Sequence, residues 1–117
     1  MRFLLPLLAL CASPTLADPP VIEAATATPS GAAWRFDVTL RHPDTGWDHY
    51  ADAWEVLAPD GTSLGLRVLL HPHENEQPFT RSLNGVAIPA GLDHVMIRAR
   101  CLVDGWADTA LRVDLPR

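Results

Sequence analysis

No lysine occurs anywhere in the 117 residues; nine arginines face fourteen aspartates and glutamates, for a formal net charge of −5. A chain without a basic stripe has nothing to release counterions from phosphates, so nucleic acid is excluded as a partner, and anionic membrane surfaces are disfavoured. No apolar run reaches the ~20 residues a membrane span needs. Cysteine is nearly absent as well. There are two, Cys11 and Cys101, with no CxxC pair, no glycine-rich phosphate loop and no nucleophile elbow. Helical periodicity is also missing, because Pro and Gly punctuate the chain every ten residues or so.

The first residues have the layout of a secretory signal. Met1-Arg2 is a short positive start and Phe3 to Leu10 an apolar run broken only by Pro6. Ser13-Pro14 breaks the segment, and Thr15-Leu16-Ala17 offers small residues at −3 and −1 of a cleavage site. The reading is a signal peptide over 1–17 and one domain over 18–117, exported to the periplasm of a Gram-negative-type envelope. Cys11 follows the apolar run as a lipidated cysteine would, but Leu10 stands where a small residue is normally needed, and the run is short. The expectation is therefore a cleaved, unlipidated protein. It would keep one thiol, Cys101, and so no internal disulfide.

A period of two replaces the helical one. From Trp34 to Arg41 apolar and polar residues alternate without a miss, which places Trp34, Phe36, Val38 and Leu40 on one face of a half-buried strand. Further strands are expected at 21–28, at 50–57 before the turn Pro59-Asp60-Gly61, and along Leu64, Leu66, Val68 and Leu70. Others are expected at 79–86, at 92–102 with Val95, Ile97, Ala99 and Cys101 inward, and along Leu111, Val113 and Leu115. About seven short strands at this spacing predict an all-β fold, a single immunoglobulin-like β-sandwich.

Two stretches escape the strand pattern, 41–49 and 71–78, and loops on a rigid sandwich are where sites sit. His71-Pro72-His73 aims two imidazoles the same way if the backbone is extended; neutral imidazole suits iron, copper or zinc, with His49, Glu74 or Glu76 as further ligands. The alternative is a solvated loop. Trp47 and Tyr50 offer an apolar body with a polar tip to a ligand or partner, or else an aromatic caps the end of the sandwich. Glu76 and Arg81 either bind a ligand, Arg81 gripping a carboxylate, or pin a loop to a sheet. Cys101 is either a small core residue or a ligand near a strand end.

The order His42-Pro43, His49-Tyr50, Trp54 and, much later, Cys101 followed by Gly105-Trp106 resembles the iron domain of superoxide reductases (desulfoferrodoxin and neelaredoxin). The resemblance spans His42 to Trp106. It implies an immunoglobulin-like sandwich and an iron held by four histidines and an axial cysteine, of which His42, His49 and Cys101 carry over. The family's loop histidine falls on Asp104, Leu102 follows the cysteine where the family has Asn, and no histidine precedes His42.

The leading reading is a periplasmic binding or accessory module, non-catalytic, with a face of Trp47, His49, His71 and His73 for a metal, a small ligand or a protein. The alternatives are a metal-dependent redox enzyme of superoxide-reductase type using His42, His49 and Cys101, and a purely structural interaction domain.

Overall fold

The computed structural model describes residues 18–117; the expected signal segment and Cys11 lie outside them. The described chain contains eight strands and no helix: β1 (Val21–Ser30), β2 (Ala33–Arg41), β3 (Ala51–Leu57), β4 (Ser63–Val68), β5 (Phe79–Val86), β6 (His94–Cys101), β7 (Gly105–Trp106) and β8 (Leu111–Asp114). They form two antiparallel sheets. One has the order β1-β2-β5; the other runs β4-β3-β6-β7, with β8 pairing the first half of β6. The expected all-β sandwich is present, with β7 the one strand that alternation did not signal.

Packing follows directly from the pattern of two. β2 buries Trp34, Phe36, Val38 and Leu40 against Trp54 and Val56 of β3 and Val95, Ile97 and Ala99 of β6. β3 is an inner strand of its sheet and is almost wholly buried, even at Glu55, whose carboxylate is compensated by Arg98 at 2.6 Å and the Ser63 hydroxyl at 2.7 Å. A buried charge persists only when paired in this way.

β4 splits its alternating apolar row, and Leu64 alone of that row packs against the core. Leu66 and Val68, with Leu70 just beyond the strand, point to solvent, while Gly65 and Arg67, with Leu69 just beyond, turn toward the first sheet. Gly65 explains the close approach: a Cβ there would sit 2.9 Å from Leu83 Cδ2 and 3.4 Å from Val86 Cγ2, both on β5. The missing side chain closes this edge of the sandwich. Gly65→Val is expected to cost about 1–3 kcal/mol through overpacking, read from chemical denaturation.

Candidate metal centre

Two connections cross between the sheets at the same end of the sandwich. Residues 42–50 lead from β2 to β3 and residues 69–78 from β4 to β5; the end of β6 and the 102–104 turn arrive beside them. The first connection is folded tightly on itself. The Asp44 N–H donates to the His42 carbonyl at 2.8 Å, Thr45 N–H to the His49 carbonyl at 3.0 Å, and His49 N–H to the Gly46 carbonyl at 3.2 Å. Gly46, at φ 133°, takes a conformation that a side chain would oppose. Leu102 N–H donates to the Tyr50 carbonyl at 3.0 Å and joins the connection to the end of β6.

This folding brings His42, His49 and Cys101 together. One ligand atom from each lies within 4.8 Å of the others, and the His42 and His49 rings meet edge to face at 4.7 Å. Donors around a single small ion stand roughly 3.5 Å apart, so the three could hold one ion after a modest closure. Their chemistry fits such an ion. Nε2 of both His42 and His49 is buried without a hydrogen-bond partner, and an orphaned buried nitrogen is costly unless something fills its lone pair. Two imidazoles and a thiol are the donor types of zinc, copper and iron, not of calcium or magnesium. Burial pushes the Cys101 thiol above its ordinary range; the Asp104 carboxylate beside it adds to the rise, while the Asp104 N–H, 3.4 Å from Sγ, opposes it.

Asp44 organises the group. Its side chain is fully buried, and Oδ1 accepts from His42 Nδ1 at 2.6 Å and from the Ala51 N–H at 3.0 Å. Oδ2 accepts the His73 N–H at 2.8 Å. A carboxylate taking two backbone donors is acceptor-only, so His42 Nδ1 carries the proton and the buried Nε2 keeps a free lone pair. A carboxylate–imidazole–metal arrangement of this kind fixes ring orientation and tautomer.

His71 and His73 fall outside the three-residue group. Their rings stand 4.6 Å apart, but they serve different ends. His73 is buried, stacked on Phe79 at 3.9 Å, and its Nε2 accepts from Arg81 Nη2 at 2.8 Å. Desolvation, with the Arg81 charge next in weight, holds its pKa below the usual value, so it is a neutral imidazole. His71 is exposed, with Nδ1 on the Pro72 carbonyl. Glu76 pairs with Arg81 at 3.1 Å beside an open cleft of about 490 Å³. Gln77 bridges the two connections, accepting the His42 N–H at 3.0 Å and donating to the His73 carbonyl at 2.9 Å. Tyr50 stacks edge to face with the exposed Trp47, and Trp54, midway along β3, is wholly buried in the core rather than capping its end. Asp44 is a site residue that the sequence pattern does not mark, because its donors come from three separate segments of the chain.

No protein-family model matches the chain, and no solved structure matches it. A protein of Halomicrobium mukohataei bearing the name "Putative lipoprotein" is 39% identical over 94 residues, which make up 80% of this chain and 46% of that protein. The chain thus spans about half the length of this relative. The relative's name corrects the expectation from the leader. It points to a membrane-anchored lipoprotein, against the reading of a cleaved, unlipidated periplasmic protein.

Proposed function

We propose that this chain is an exported, lipid-anchored accessory protein whose sandwich holds one transition-metal ion between His42, His49 and Cys101. The observation that carries the reading is the convergence of two partnerless buried imidazole nitrogens on a buried thiol. Three protein donors leave a coordination position open, as in sites that bind or exchange a ligand rather than purely structural ones. Bound there, the ion supplies Lewis-acid or redox chemistry. The chain's own residues hold the thiol in a dry pocket, and Asp44 keeps the His42 proton on Nδ1.

The lipid anchor is assigned to Cys11. Support comes from the relative's name and from elimination, since the one other cysteine, Cys101, is wholly buried in the fold.

Superoxide-reductase-type chemistry is a second reading, favoured by one fact: the three residues that match that family's ligands are the three that converge. Against it, His71 and His73 do not complete a four-imidazole set around Cys101.

Elemental analysis of protein purified from medium supplemented with iron, copper and zinc tests the metal. One ion per chain is expected, lost in Cys101→Ser and in His42→Ala and retained in His71→Ala. A thiolate-to-metal absorption band would mark copper or iron, and its absence with bound metal would mark zinc. Protein that takes up no metal in growth or on titration overturns the assignment, and loss of metal in His71→Ala alone would move the site to the second connection.

A further inference from the structure

Seven large apolar side chains are exposed among the described residues, and five of them gather at the end that carries the His42, His49 and Cys101 group: Val21, Trp47, Leu70, Leu102 and Val103. Val21 begins β1 opposite Arg41, Trp47 tips the first connection, Leu70 opens the second, and Leu102 and Val103 follow Cys101. The opposite end, with its turns at Gly31, Gly61 and Gly91, exposes none of the seven. Scattered apolar residues on a surface mean little, but a concentration at one end marks a docking face.

The described chain also enters at this end. The Asp18 N–H donates to Asp104 Oδ2 at 3.2 Å, and Asp104 lies against Cys101 Sγ. Seven steps of chain separate Asp18 from Cys11, a reach of at most about 24 Å when fully extended. The nine residues of β2 alone span roughly 30 Å. A lipid on Cys11 therefore holds the apolar end within about 24 Å of the bilayer, too close for the sandwich to stand upright on its far end.

We infer that the metal-bearing end of the sandwich rests on the lipid bilayer, with Trp47, Leu102 and Val103 seated among the headgroups. Trp suits that depth because its ring is apolar and its N–H polar. A lipid anchor gains from a second, weaker contact of this kind. The same end carries the exposed Asp18, Asp48, Glu74, Glu76 and Asp104 against Arg41 and the half-buried Arg81, so zwitterionic lipid is preferred over anionic lipid. The inference rests on the lipid-anchored reading of Cys11, and its test separates the two.

The full chain is expressed in a host that processes lipoproteins, its intact mass is measured, and it is reconstituted into phosphatidylcholine vesicles with brominated acyl chains. A mass increase of a diacylglyceryl group is expected, together with quenching of tryptophan fluorescence that is lost in Trp47→Phe and weakened by added phosphatidylglycerol. Trp47 is 66% exposed, so its replacement leaves the core intact. Lipidated protein whose quenching is the same in wild type and Trp47→Phe overturns the docking and leaves the anchor standing, the apolar end then being free for a protein partner. A chain that carries no lipid removes both.

Discussion

Asp44→Ala is expected to weaken metal binding about 10–100-fold and to destabilise the metal-free domain by about 3–5 kcal/mol. The substitution strands three buried donors at once: His42 Nδ1, the Ala51 N–H and the His73 N–H. Each orphaned buried group costs about 1–3 kcal/mol, and the three are not strictly additive because the loops relax together. Without the carboxylate, the His42 proton is free to move to Nε2, the nitrogen that would bind the ion. Asp44→Asn separates the two effects. It keeps an acceptor oxygen and much of the stability but loses the negative charge that fixes the tautomer, so its metal affinity should fall more than its stability. Urea denaturation without metal and competition titration on folded protein check both. Unchanged affinity in folded Asp44→Asn would show that Asp44 shapes the loop without tuning the ligand.

Trp54→Ala is expected to cost about 3–5 kcal/mol, with a fall in Tm of roughly 15 °C or more. Trp54 heads the fully buried side chains and packs in an inner strand of its sheet. A domain of about 100 residues has a total stability of about 5–15 kcal/mol, so this one cavity removes a large fraction of it. Trp54→Phe should cost less than the alanine variant, because it keeps most of the apolar volume and deletes an indole N–H that has no partner. Thermal melts of the two variants side by side decide the matter: equal losses would mean that the indole is held by something other than packing.

Periodicity exposed the frame of this fold because both faces of the pattern are honoured in most strands. Trp34 to Arg41 alternates, and its apolar row is the buried row; Val95, Ile97, Ala99 and Cys101 behave alike. β4 shows where that logic fails. Its leucines and valine alternate as cleanly, yet beyond Leu64, which packs on the core, Leu66 and Val68 face solvent and Gly65 and Arg67 face inward, where a glycine lets β5 approach. Alternation reports that a strand has two faces; neighbouring strands decide which is covered.

The candidate site is legible in parts. His49 and Cys101 stand out as possible ligands in the sequence, the family resemblance adds His42, and folding brings the three together. His71-Pro72-His73 drew more attention because two imidazoles lie two residues apart, yet His73 is held inside by Phe79 and Arg81 and His71 by solvent and its own backbone. Asp44 carried no local signal of its own. Its role comes from donors on three different segments, at residues 42, 51 and 73, whose meeting is a property of the fold.

The two connections that build the site each pass from one sheet to the other, and His42 continues β2 of the first sheet while Cys101 ends β6 of the second. An ion gripped by both would act as a removable rivet in a sandwich that has no disulfide across its layers. At a hundredfold excess over its dissociation constant it would add about 2.7 kcal/mol, so scarcity of metal would loosen the layers at that end first.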